Sequence, residues 1–242
     1  MVFLYYTNDD GLIFEEMDNG LCLLRYEGHS RKLEIPSEIR GQKVTQIMAL
    51  AAPKKEIDEV VIPDSISIIG NHSLSENKLT HVTIPGSVKR IGNNAFLGNQ
   101  LQFVDLQEGV EIIESGAFAK NCLQNVEIPN SVIKINKWSF LDNNIEKVNI
   151  SSNVQKIGIG AFANNEHLIE VSLGQNIEID NTAFGKETET LILDYDSNNR
   201  NVAIYHWNET NQRWENRIKE LLQKNKEISL GKLGKKEINL KL

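Results

Sequence analysis

Apolar and polar residues alternate in a short block that returns throughout the middle of this chain. Aligned copies begin at Val60, Val82, Val104, Val126, Val148 and Val171, with four steps of 22 residues and a last step of 23. The shared pattern is V-x-I-P-x-S-V-x-x-I-G-x-x-A-F-x-x-N-x-L-x-x. A fixed period of this length marks a solenoid, whose units are too small to bury an apolar face alone and do so only by stacking. A degenerate first copy runs from Leu33 to Glu59, with five extra residues between Pro36 and Val44, and a last partial copy starts at Leu191.

Each column of the repeat has a physical reading. Val82, Ile84 and their equivalents alternate with polar residues, which predicts a short strand with one face inward. Stacked copies then make a parallel sheet along the solenoid. Pro36, Pro63, Pro85 and Pro129 lack an N–H, so each ends sheet pairing and starts the next turn. Ile69, Ile91, Ile113, Ile135, Ile157 and Ile179 form an apolar column. So do Leu74, Phe96, Phe118, Phe140, Phe162 and Phe184, which hold five of the eight phenylalanines. A file of rings is expected where neighbouring coils supply the only core.

Asn77, Asn99, Asn121, Asn143 and Asn165 recur three residues after the Phe position. A buried bend leaves backbone N–H and C=O groups without sheet partners. A carboxamide offers donors and an acceptor together, so the column reads as a structural ladder joining each coil to the next. The column after the Ile reads Gly70, Gly92, Glu114, Asn136, Gly158, Asp180. A Glu there argues against an obligatory left-handed backbone.

Both ends of a solenoid need covers. In residues 1–32 the runs "VFLYY", "LIFEEM" and "LCLLRY" are separated by Asp10-Gly11 and Asn19-Gly20, which predicts a β-hairpin cap. At the other end Glu187 replaces the ladder Asn. There Trp214, Ile218, Leu221 and Leu222 fall at i, i+4, i+7 and i+8, with Trp207 seven residues upstream, which predicts a capping helix. The tail "EISLGKLGKKEINLKL" alternates like a hairpin or an added strand. The expected division is a β-cap over 1–32, a solenoid over 33–195, and a helical cap with a basic tail over 196–242.

The copies of "LTHVTIPGSVKRIGNNAFLGN" (79–99) resemble the leucine-rich repeats, specifically the bacterial BspA-like subclass, over about residues 33–195. The resemblance implies an α/β repeat fold with stacked short parallel strands, and binding scaffolds without catalytic residues, many of them secreted or cell-surface adhesins.

Composition narrows the functional classes. The net charge of −7 argues against a general nucleic-acid binder. From Arg213 onward nine Lys/Arg face four Asp/Glu, so a basic end follows an acidic body. Cys22 and Cys122 lack metal spacing and read as buried free thiols. The five histidines form no ligand pair, and no phosphate loop or nucleophile elbow occurs. No cofactor, metal or enzyme activity is expected. The start lacks a basic, apolar leader, so the expected location is cytoplasmic, or the cell surface if a leader has been removed. No apolar run is long enough to span a membrane.

What remains is surface. The outward residues of the strands are expected to line a concave sheet with seven acids (Asp58, Glu59, Asp105, Glu127, Glu146, Glu170 and Glu189) against one lysine, Lys147. Candidate binding residues are His81, Phe103, Asp105, Glu127, Glu146 and Glu170, with Phe103 as an exposed anchor. The partner expected is a protein with a basic surface. The alternatives are an adhesin for host protein or glycan, and a partner or nucleic acid held by the basic C-terminal helix and tail.

Overall fold

The computed structural model describes residues 5–7, 10–185 and 187–224. The chain winds into a β-solenoid of about seven turns, each coil stacked directly on the one before. The V-x-I segments form the long strands Lys32–Glu34, Glu59–Val61, His81–Ile84, Phe103–Leu106, Asn125–Glu127, Lys147–Ile150 and Glu170–Leu173. They pair in parallel and in repeat register within three groups, the first two strands, the next two and the last three, as in Val82 with Val104 and Val148 with Val171. Their Val and Ile side chains point inward and the residues between face solvent, as a period of two requires.

A second parallel ladder was not evident from sequence. The residue pairs Ile68–Ile69, Arg90–Ile91, Ile112–Ile113, Lys134–Ile135, Lys156–Ile157 and Glu178–Ile179 are themselves stacked strands. Two residues cannot display an alternation, so the Ile column shows burial in the sequence but not strand. A third line of coil-to-coil bonds follows the Phe column. There Phe96 donates to Ala117, Phe118 to Ser139, Phe140 to Ala161 and Phe162 to Ala183.

Between these lines the rings of Phe96, Phe118, Phe140, Phe162 and Phe184 lie in one file. Successive centroids are 5.3, 5.4, 5.1 and 5.7 Å apart, with planes within 13° of parallel. Each of these coils has left-handed residues two and six positions after the Gly column, at His72, Asn94, Gly116, Trp138 and Gly160 and at Glu76, Gly98, Lys120, Asp142 and Asn164, but not in the column itself. This is why Glu114 is tolerated where other coils have Gly.

At the N-terminal end Tyr5–Thr7, Leu12–Met17 and Gly20–Tyr26 form an antiparallel meander, as expected. It joins the short ladder rather than the long one, through Leu21 paired with Val44 and Leu23 with Ile47. Cys22 is buried within it, and burial raises its thiol pKa. Cys122, expected to be buried, is exposed, because it follows the ladder residue Asn121 on the outside of the bend.

The C-terminal cap differs in kind from the expectation over part of its length. Leu191 does not open another coil; it is buried in the α-helix Thr188–Ser197 that closes the last one. Tyr195 of that helix donates its hydroxyl to the Gly174 carbonyl at 2.6 Å and accepts from the Ile177 N–H at 3.1 Å. The strands Ala203–Asn208 and Arg213–Asn216 then form a hairpin whose first strand lies antiparallel on Glu170–Leu173, covering the exposed edge of the long ladder.

Trp207 and Trp214 therefore do not lie on one helix face. They face each other across this hairpin, both buried, their rings edge-to-face at 5.6 Å. A spacing of seven fits two helical turns and also two strands joined by a polar loop, here residues 209–212. The helix begins only at 217, where the Asn216 side chain accepts from the N–H groups of Ile218 and Lys219. Its Ile218, Leu221 and Leu222 are exposed. The tail hairpin expected over 227–242 lies outside the described residues, as does most of "VFLYY".

Candidate functional site

Along one column of the long strands the outward residues fall in three registered runs, the first pairing Lys32 with Glu59. The second passes through His81 and Phe103; the third through Asn125, Lys147, Glu170, His206 and Glu215, crossing from the solenoid onto the capping hairpin. In this column the coils carry Glu59, His81, Phe103, Asn125, Lys147 and Glu170, so Phe103 is its one apolar member. Its side chain is 59% exposed, and it is fixed by a strand whose Val104 and Leu106 are buried. A rigid backbone holding an unpaired ring in water is a ready contact, because little ordering entropy remains to be lost on binding.

The acids divide in a way the sequence did not show. Asp58 meets Arg31 at 3.1 Å and Glu59 meets Lys32 at 3.2 Å, both cations coming from the N-terminal segment. Glu170 lies between Lys147 at 3.6 Å and Arg217 at 3.2 Å. Glu189 is not on the sheet at all, since it belongs to the capping helix. Asp105, Glu127 and Glu146 meet no cation within salt-bridge distance among the described residues. They stand on three successive coils beginning at Phe103. The uncompensated acids of this face thus lie on the coil of the exposed ring and the two that follow. Arg31, Lys32 and Arg217 could not be placed beside these acids from sequence, since they arrive from 27 to 47 residues away.

Beside Glu127 a shallow hollow is lined by Leu106, Glu108, Ile128, Pro129, Asn130 and Asn149. Glu108 is structural there. It accepts from the N–H groups of Asn130 at 2.9 Å and Ser131 at 3.0 Å in the next coil, and the Asn130 bond leads in lowering its pKa.

The asparagine column is a ladder. Asn99, Asn121, Asn143 and Asn165 each accept, through Oδ1, the N–H of Leu79, Leu101, Leu123 and Ile145 in the preceding coil at 2.9–3.1 Å. Their Nδ2 groups donate to the Phe-column carbonyls of their own and the preceding coil. Asn77 does the same for Lys55 and Ile57. The tie runs backward along the chain, not forward, and all five are buried.

The BspA type leucine rich repeat region matches in six copies over residues 47–168 and 89–211. The chain belongs to this family, whose members are generally non-enzymatic scaffolds. A leucine rich cell surface protein of Faecalibacterium prausnitzii shares the fold at a TM-score of 0.51 and 22% identity, over 72% of this chain and 55% of the other. A leucine-rich repeat protein of Eubacterium ventriosum aligns at 0.46 and 19%, over 73% and 45%, and one of Treponema pallidum at 0.46 and 22%, over 73% and 82%. The chain thus spans about half the length of the first two. No curated protein matches it. Among the described residues no helix is long and apolar enough to cross a membrane.

Proposed function

We propose that the chain is a non-enzymatic, protein-binding scaffold that recognises its partner on the outward face of the long-strand ladder. Phe103 is the anchor, and Asp105, Glu127 and Glu146 select a partner with a basic surface; His81 and Glu170 border the contact. The observation that carries this is the exposed phenyl ring of Phe103 in a column otherwise polar, with three uncompensated carboxylates on its own and the two following coils. Apolar contact desolvated at the centre of a charged rim is how interfaces combine affinity with steering. Stopped-flow binding to the captured partner tests it. Phe103→Ala should raise the dissociation rate, and Asp105→Lys with Glu127→Lys should slow association, an effect that fades with salt. Unchanged rates in both would remove this face from consideration.

A second reading, an adhesin displayed outside the cell, draws on the description of the Faecalibacterium neighbour as a cell surface protein. Fractionation with surface labelling separates it from the cytoplasmic setting expected from sequence, since only a displayed chain is labelled on intact cells. Binding through the basic tail would instead give a salt-dependent shift with nucleic acid, lost on deleting 227–242.

A further inference from the structure

Where the outward row of the long ladder crosses onto the capping hairpin, His206 lies in register between Glu170 and Glu215. The first turn of the following helix brings Glu220 over the same spot. His206 Nε2 is 3.8 Å from Glu215 Oε2 and 3.8 Å from Glu220 Oε1, and the three atoms lie within 4.8 Å of one another. These separations are too long for hydrogen bonds. The two 3.8 Å separations exceed by about 0.5 Å the edge of roughly 3.3 Å spanned by ligands bonded at about 2.0–2.1 Å to one tetrahedral ion, so the side chains must draw together on binding. We propose that His206, Glu215 and Glu220 form a binding site for a divalent transition ion of the zinc class, which clamps the helix starting at 217 onto the hairpin.

The local chemistry supports a cation there. Glu215 is fixed in place: its carboxylate accepts from Asn208 and Asn211 at 2.8 Å each, and Arg213 pairs with its Oε1 at 3.0 Å, which leaves Oε2 toward His206. Arg217 and Lys224 line the same hollow, and Arg217 is engaged by Glu170 at 3.2 Å. Glu220 is half-buried in the first turn of the helix and keeps room to move toward His206. One imidazole with two carboxylates favours zinc or a neighbour over calcium and magnesium, which prefer all-oxygen sets. His206 Nδ1 is buried and has no acceptor among the described residues. A zinc-bound imidazole usually gains a hydrogen bond there, and its lack costs roughly 10–100-fold in affinity. The site is therefore expected to bind more weakly than one in which that nitrogen has a partner.

Zinc chloride titrated calorimetrically into the full chain, with calcium chloride as control, tests the proposal. The expected result is one zinc per chain, unaffected by calcium, with at least about a tenfold loss of affinity in Glu220→Gln and in His206→Gln. Cobalt(II) should give visible absorption bands of a tetrahedral site in the wild type and lose them in Glu220→Gln. Glu220→Gln decides the matter if His206→Gln perturbs the hairpin, because Glu220 lies outside it. No zinc binding by the wild type, or equal binding by Glu220→Gln, would overturn the proposal.

Discussion

Leu168 donates its backbone N–H to the carbonyl of Asn165 at 3.0 Å, where the preceding coils use a side chain. Leu79, Leu101, Leu123 and Ile145 each give the corresponding N–H to the asparagine of the coil that follows. After Asn165 that asparagine is missing, because Glu187 occupies its place. The last solenoid step is 23 residues rather than 22, and the extra residue moves Leu168 to the third position after Asn165, where a tight turn closes. One inserted residue thus satisfies the donor that the end of the ladder would leave unpaired.

The ladder carries a direct stability prediction. Asn121→Ala removes the acceptor of the Leu101 N–H and a donor to the carbonyls of Phe96 and Phe118. Leaving buried backbone groups unpaired should cost about 1–3 kcal/mol, seen as a lower denaturant midpoint with secondary structure kept in the absence of denaturant. Wild-type stability combined with lost binding would make the column functional.

The neighbouring alanine column predicts the opposite sign. Ser139 is fully buried and its hydroxyl has no hydrogen-bond partner among the described residues, while Ala117 and Ala161 fill the same position in adjacent coils. Ser139→Ala should stabilise the chain by about 1 kcal/mol, since it removes an unpaired polar group without opening a cavity. Destabilisation in equilibrium unfolding would show that the hydroxyl has a role.

The two parts of the C-terminal region should respond unequally. Trp214→Ala vacates a buried site against Trp207 and should cost about 3–5 kcal/mol. Leu221→Ser and Leu222→Ser, on the exposed helix, should stay within about 0.5 kcal/mol of the wild type. Comparable losses at all three positions would restore the helix as the main cover.

Acid should loosen this cap early. Burial pushes the Asp194 carboxyl up, but bonds from Lys219, Asn216 and Tyr205 outweigh it and bring the pKa below the usual value. Glu215 is lowered to about 2, led by the Asn208 bond. Folded-state values below the unfolded ones mean stability that is present above about pH 4 and is lost as pH falls toward 2. The melting temperature should fall over that window, and less steeply in Glu215→Gln. An identical slope in the variant would exclude Glu215 as a contributor.

The repeat was legible because a solenoid writes its contacts at a fixed interval. Val82, Ile91, Phe96 and Asn99 recur at one spacing, so their burial and stacking could be read from the column alone. The short ladder escaped notice because two residues have no periodicity. The cap escaped in part because Trp207 and Trp214 appear once and lie as far apart as two helical turns. At the candidate site Phe103 could be placed from strand parity. The neutralisation of Asp58, Glu59 and Glu170 could not, because Arg31, Lys32 and Arg217 come from segments outside the repeat.

The most direct test of the central claim is a quantitative affinity capture with four baits compared by mass spectrometry. These are the wild type, Phe103→Ala, Asp105→Lys with Glu127→Lys, and a control with Lys134→Ala on the short ladder. The account predicts that a protein with a basic surface is retained by the wild type and the control and depleted at least about tenfold by both long-strand variants, the size expected for loss of a central anchor. Equal retention by all four baits, or depletion only by the control, would contradict it.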